Sequence, residues 1–536
     1  MMEKRSKKKW NKSHVNALQL LLVGTVTGIF VGAIVTLYQL LITFAEEYAV
    51  DAYHAVRANP WFIPVLILAL AMGAFLIGVI ANISSMARGC GVPQVEGATR
   101  GFLRFRWFRD ATAMCASTLI SVFLGLSIGS EGPSMFIGAC VGDGVGGALR
   151  RNQLVRRYQM TGGACTGLAV VSNAPLTGII FAFEEAHKRF TPEVFVCSFV
   201  SVIFGMMTRN LIFSACSMPI TPSFQTFTFQ ELPIVYYPIV VLSALICGVL
   251  GVALCKICMQ FYKALHRVHL KKAGHNVWVR VSVAVFVGGL ASFITASLIG
   301  GGHEFINGLG TLGGGKSISV EKVFGLPLIW SLLIVLVLKM LVTGVNVGSN
   351  IPCGIFVPVI AIGACVGGIL NVLCIRLGMS AQYADLITMM CMASFFATVV
   401  RAPLTAIIMI CEFTGSIAPL MPVIIAVAIG YAVGELFRVD GIYETLLKTY
   451  EKEQDIHVEK VKKLFVVTVG RHSLADKREV RDVLWPADAR IREIIRGEET
   501  FLADGDTVLH AGDVLKIECK TEDVAHTQED LEGITK

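Results

Sequence analysis

One carboxylate, Glu131, stands in Gly129-Ser130-Glu131-Gly132-Pro133, inside a long apolar stretch that carries almost no other charge. An acid at membrane depth is costly and is kept where it faces protein or a water-filled path. The flanking glycines and proline break regular helix, and the backbone N–H groups they free can hold an anion. A second element of the same make, Gly354-Ile355-Phe356-Val357-Pro358, lies far along the chain. Glycine in both lets an ion approach the backbone. An ionised Glu131 would compete with the anion for those N–H groups, and protonation would release it. The chemistry expected is anion passage with Glu131 as the moving gate.

Two more acids, Glu184 and Glu185, follow the apolar run 178–183 and precede His187, Lys188 and Arg189. Adjacent helical residues point about 100° apart, so one of the pair faces the interior. They read equally well as a proton relay to the cytoplasm and as a helix-end charge pair.

Such acids need a membrane around them, and the composition supplies it. Of 536 residues, 54% are hydrophobic and 16% charged, whereas soluble domains carry roughly a quarter charged. Apolar stretches long enough to cross about 30 Å of hydrocarbon run near residues 18–44, 61–83, 192–215, 233–255, 281–299, 326–347 and 417–437. Others, interrupted by Gly or Pro, read as tilted or re-entrant pieces. The first stretch is too long for a typical signal-peptide core and is expected to stay as an anchor.

Basic residues cluster at Lys4–Lys12, at Arg100, Arg104, Arg106 and Arg109, at Arg150, Arg151, Arg156 and Arg157, and from His266 to Arg280. These are topology signals that mark the N-terminus and these loops as cytoplasmic. The net charge of +7 is spread among them and points to no nucleic-acid partner. Most of the fifteen cysteines lie in apolar helices and act as small hydrophobes. Cys255-x-x-Cys258 has no second pair, so no metal and no cofactor are expected.

The membrane part repeats itself. Pro133-Ser-Met-Phe-Ile-Gly-Ala-Cys140 matches Pro358-Val-Ile-Ala-Ile-Gly-Ala-Cys365 at an offset of 225 residues. Asn173-Ala-Pro-Leu-Thr-Gly-Ile-Ile180 matches Arg401-Ala-Pro-Leu-Thr-Ala-Ile-Ile408 at 228. Duplicated halves with broken segments in matching places indicate a transporter whose site lies between the halves. The expected organisation is a basic cytoplasmic tail at 1–17 and a membrane domain at 18–450, with halves near 18–215 and 233–437. A linker at 451–462 and a small α+β domain at 463–536 follow. In that last domain strands are expected at 463–469, 507–510 and 514–518, and a short helix at 491–496 after Asp488.

Taken together, Gly-x-Glu-Gly-Pro, Gly-x-Phe-x-Pro, Gly89-Cys90-Gly91-Val92-Pro93, Asn173-Ala-Pro-Leu with Glu184-Glu185, and Arg401-Ala-Pro-Leu-Thr resemble the signature segments of the CLC chloride channels and chloride/proton antiporters. The resemblance covers about residues 18–450. It implies an all-α polytopic membrane protein built as an inverted repeat of tilted and re-entrant helices. It further implies a homodimer, each subunit with its own pore, moving chloride and protons across a lipid bilayer.

Carried over, Glu131 matches the gating glutamate and external proton site. Ile355 and Phe356 match the residues whose N–H groups bind the central chloride, Tyr443 the tyrosine whose hydroxyl faces it, and Glu185 the internal proton-transfer glutamate; Glu184 would be structural. Gly129, Ser130, Gly132 and Gly354 line the anion path. Two departures stand out. Cys90 replaces a serine whose hydroxyl helps to bind the anion, and a thiol is a weaker donor. Ser130 replaces an arginine, removing a positive charge beside the outer path.

The tail, from Phe501 to Ile517 above all, resembles the C-terminal subdomain of regulators of potassium conductance (the TrkA-C type). This implies dimerisation and a small cytoplasmic ligand. Gly310-Thr-Leu-Gly-Gly-Gly-Lys316-Ser317 fits a phosphate-loop pattern, but no buried strand precedes it and no helix start follows, so nucleotide hydrolysis is not expected. The sequence therefore predicts a proton-coupled chloride antiporter of the plasma membrane, both termini cytoplasmic, and not an enzyme. A passive chloride channel, or an antiporter of nitrate or fluoride, is the alternative. A membrane-embedded enzyme or receptor, a different class, lacks any buried catalytic cluster.

Overall fold

The computed structural model describes residues 2–101, 103–151, 153–187, 192–221, 223–224, 226–227, 229–266, 273–310, 321–417, 420–455, 461–471, 473, 475–483, 485–486, 489–521 and 524–535. Residues 311–317 of the phosphate-loop-like run and Asp488 lie outside them. The first half comprises α1 (Met2–Ala58), α2 (Ile63–Ile83), α3 (Val92–Thr99), α4 (Trp107–Phe123), α5 (Glu131–Ala148), α6 (Gln153–Ser172), α7 (Pro175–Phe181) and α8 (Pro192–Ala215). A π-helical turn, Ala182–His187, extends α7. The second half comprises α9 (Tyr237–His266), α10 (Ala273–Ile294), α11 (His303–Leu309), α12 (Leu328–Ser349), α13 (Phe356–Arg376), α14 (Ala384–Val400), α15 (Pro403–Thr414), α16 (Leu420–Leu436) and α17 (Ile442–Asp455).

Among the described residues, eight helices are long and apolar enough to cross a membrane by length and composition. Two of them, Phe356–Arg376 and Ala381–Val400, are absent from the clear spans read in the sequence. Their glycines and polar residues disguised them. Every residue of α14 is buried, and Asn371 of α13 donates to the Ala384 carbonyl and to Thr388 Oγ1, both at 2.8 Å. Paired polar groups of this kind survive in an apolar interior. Conversely, the apolar stretch at 417–437 forms only the 17-residue α16. At 1.5 Å per residue that is about 26 Å, short of a full crossing.

Close packing of α5 on α6 depends on missing side chains. A Cβ at Gly138 would sit 2.2 Å from the Gly163 carbonyl oxygen, and one at Gly163 would sit 2.1 Å from that of Gly138. Small residues let backbones touch where lipid offers no hydrophobic drive to associate.

Reciprocal contacts express the repeat. Gly129 N–H donates to the Gly354 carbonyl at 2.7 Å, and Gly354 N–H returns the bond to Gly129 at 3.0 Å. Glu412, at the end of α15, accepts from Leu176 N–H, Thr177 N–H and Thr177 Oγ1 at the start of α7. Glu184, on the π-helical turn that extends α7, accepts from Leu404 N–H, Thr405 N–H and Thr405 Oγ1 at the start of α15. Each contact maps onto the other by the offset of 228. Asn173 and Arg401, also 228 apart, both turn through left-handed backbone, at φ 52° and 71°. Mutual contacts of this form are what a two-fold relation produces.

The tail is a four-stranded antiparallel sheet, order β1-β4-β2-β3, of β1 (Val461–Thr468), β2 (Arg490–Arg496), β3 (Glu499–Leu502) and β4 (Val514–Thr521). Helix α18 (Val524–Thr535) lays the buried Leu531 and Ile534 on its core. Two expectations are corrected. Residues 491–496 form a strand, not a helix, because Ile494 pairs with Phe501 on one side and Leu515 on the other. Residues 507–510 contribute only an isolated bridge, Glu479 to Val508. There Asp513 holds His510 N–H at 2.8 Å and bends the chain away. Of the linker expected at 451–462, the residues up to Asp455 continue α17, and Val461 and Lys462 already belong to β1.

Candidate functional site

The Gly129–Gly354 bridge places the first residues of α5 and α13 side by side. Helix α3 begins there as well: Gly91, at φ 85°, precedes it, and a Cβ at Gly132 would lie 2.1 Å from the Cys90 carbonyl oxygen. Cys353 N–H donates to the Gly89 carbonyl and Gly89 N–H to that of Asn350, which ties the first loop to the second. The first-turn N–H groups of a helix have no acceptor within it. Several helix starts aimed at one point therefore make an anion-binding focus of partial positive charge without a fixed cation. Ile355 and Phe356, at the start of α13, are 3% and 1% exposed.

Tyr443, near the start of α17, closes this focus. Its ring meets Phe181 edge-on at 6.1 Å, and Phe181 in turn meets Phe356 at 5.7 Å. The tyrosine is completely buried, yet its hydroxyl has no partner among the described residues. Such a donor costs about 1–3 kcal/mol if left unmet. Its electrostatic neighbours are Cys90, Glu185, Glu131 and Cys353. An anion among these groups would satisfy the hydroxyl.

Glu131 is 1% exposed. Its side chain folds back over Gly129, where a Cβ would come within 2.6 Å of Oε2. Oε2 has no hydrogen-bond partner among the described residues. Oε1 lies 3.3 Å from His303 Nε2. The basic group that reaches Glu131 is thus supplied by α11, not by Ser130 beside it.

Sequence reasoning missed the rest of this cluster. Lys339 is fully buried in α12, with Nζ 3.3 Å from Ser127 Oγ. Asn346, two turns on, donates to the Ser127 carbonyl at 2.9 Å. Glu46 of α1 accepts from Gly301 N–H at 3.4 Å. A lysine inside an apolar helix was a signal in plain view. His303 gave none, because it follows a glycine run and its partner is 172 residues away.

On the opposite side of the helix starts, Glu185 is 3% exposed on the π-helical turn. It lines a cavity of about 630 Å³ together with Glu184, Arg401, Tyr431, Glu435 and Glu444. Arg401 pairs with Glu435 and donates to the Tyr431 carbonyl at 2.6 Å. Glu184, whose carboxylate is taken up by the α15 start, and Glu185 therefore have different surroundings. Among the described residues no group of three His, Cys, Asp or Glu could hold a metal.

The tail touches the membrane part. Arg478 pairs with Glu193 at the start of α8, and α18 packs on α6. Within the tail, burial pushes the Asp513 carboxyl upward, but Arg496, at 2.8 Å through two nitrogens, and His510 N–H outweigh it and hold it below the usual range.

The voltage gated chloride channel family model matches residues 72–435, and the TrkA-C domain model residues 464–532. The H(+)/Cl(-) exchange transporter ClcA of Vibrio parahaemolyticus is 28% identical over 446 residues, covering 80% of this chain and 89% of that one. The protein of the same name from Vibrio cholerae is 26% identical over 457 residues, covering 82% and 91%. Among solved structures, a slow cyanobacterial Cl-/H+ antiporter superposes with a TM-score of 0.71 at 20% identity, covering 81% of this chain and 99% of that one. A CLC-type fluoride/proton antiporter superposes at 0.58 and 17% identity, covering 80% and 97%.

Proposed function

Since the chain belongs to the voltage gated chloride channel family, we propose that it exchanges chloride for protons across the plasma membrane, with Glu131 as gate and Glu185 as inner proton-transfer group. The observation that carries this reading is the buried Glu131 carboxylate, one oxygen unpaired among the described residues, beside two helix starts joined at Gly129 and Gly354. The names of the curated relatives, H(+)/Cl(-) exchange transporters, support it.

Ionised, Glu131 competes with chloride for the N–H groups of Ile355 and Phe356 and for the Tyr443 hydroxyl. Protonated, it is no longer held by positive dipoles and swings aside, so the anion advances as the proton boards. Glu185 passes the proton between this region and the cavity beside Arg401. Chloride binding falls to Cys90, Ile355, Phe356 and Tyr443, and the Cys90 thiol loosens the preference for chloride over nitrate or fluoride.

The protein is a homodimer with both termini cytoplasmic. Residues 1–17, 18–450, 451–462 and 463–536 are its tail, membrane domain, linker and regulatory domain. That domain takes a small cytoplasmic ligand and acts through the Arg478–Glu193 contact. The test is the reversal potential of purified protein in liposomes under a fixed chloride gradient at two external pH values. Exchange requires it to move with pH; a value that tracks chloride alone means a passive channel.

A further inference from the structure

On that reading of Glu131, we propose that His303 is the group that ferries protons between the outer water and the Glu131 carboxylate. Two facts of geometry carry this. His303 Nε2 is 3.3 Å from Glu131 Oε1. The imidazole is 32% exposed while the carboxylate is 1% exposed. The ring has accessible surface and the acid has almost none, so the ring stands between the acid and the outside.

The ring is held in place. Phe224 lies tilted against it at 5.7 Å, and Phe224 N–H donates to the Phe413 carbonyl at 2.7 Å. Just before it, Gly302 turns at φ 102°, where a Cβ would meet Lys339 Nζ at 3.0 Å. The charged groups around the imidazole are Glu131 from α5, Glu46 from α1 and Lys339 from α12. Helix α13 offers Val357 and Ala361 to the adjoining glycines, both uncharged. On α11 itself Glu304 faces outward. Topology from the basic loops puts this cluster on the outer side, across the helix starts from Glu185 and its cavity.

The step is a simple transfer. The imidazolium gives the hydrogen on Nε2 to Glu131 Oε1, leaving a neutral ring with its hydrogen on Nδ1 and a neutral carboxylic acid. Once the acid has swung inward, Nε2 takes a fresh proton from outer water. No other reactant is needed. Imidazole is suited to the task because it changes charge between about pH 5 and 8. A positioned acid–base group of this type typically contributes 10²–10⁴-fold.

The experiment measures proton and chloride flux in liposomes against external pH for wild type, His303→Gln, His303→Ala and the double variant with Glu131→Gln. His303→Gln should slow proton exchange by roughly tenfold or more and lack the inflection between about pH 5 and 8 that is expected of wild type. Imidazole added outside should restore part of the rate in His303→Ala. In the Glu131→Gln background the second substitution should change nothing further, since the two residues act on one proton. An unchanged pH profile in His303→Gln overturns the proposal. So does a further fall in chloride flow in the double variant, which would mark His303 as a packing residue. Proton exchange persisting in Glu131→Gln alone would instead defeat the parent reading.

Discussion

The two halves of the membrane part build the same backbone device and load it differently. Gly129 and Gly354 bond each other, and a helix leaves each of them two residues on. At the matching next position one half has Glu131 and the other Phe356, both 1% exposed. The second landmark repeats the contrast. Glu184 and Glu412 correspond, and each caps the helix start of the other half. Glu185 corresponds to Phe413, which is buried and packs edge-on against Phe224. At these two landmarks the acids that cap helix starts are duplicated, and the two proposed to carry protons are single, with phenylalanine opposite.

The contrast can be broken at its single members first. Glu185→Ala should uncouple transport, so that the reversal potential moves to the chloride equilibrium value while chloride still flows. A coupling ratio equal to wild type would return Glu185 to the scaffold. At the duplicated members the outcome should be the reverse. Glu184→Gln and Glu412→Gln should each cost about 1–3 kcal/mol, since each carboxylate meets three donors at a helix start. Thermal unfolding in detergent should fall by similar amounts in both, with the proton-to-chloride ratio intact. A changed ratio in Glu184→Gln alone would erase the distinction.

A smaller effect belongs to the tail, where no repeat exists. Because Asp513 titrates below its ordinary range when folded, its ion pair with Arg496 stabilises the sheet above the unfolded value, about pH 3.9. That stability is lost as pH falls through the folded value. Asp513→Asn should lower the melting temperature near neutrality and flatten its loss in acid. A variant as acid-sensitive as wild type would contradict this.

Much of this plan was legible in the residues. The paired Gly-x-x-x-Pro starts announce the broken helices, because glycine and proline act locally and leave their mark in order. The caps were not legible: Glu412 and Thr177 are 235 residues apart, and only the two-fold fold joins them. His303 escaped for the same reason, whereas Lys339 could have been found from its apolar helix. In the tail, Ile491, Ile494 and Ile495 fit a helical stripe as well as a strand, and pairing with β3 and β4 decides the matter. Alternation was masked there by a register shift between Ile491 and Glu493.

The most direct measurement is proton movement driven by a chloride gradient in liposomes carrying Glu131→Gln. Glutamine keeps the size and removes the titration, so uphill proton pumping should vanish while chloride passes freely. Pumping at the wild-type ratio would show that the proton crosses by a route that does not involve Glu131.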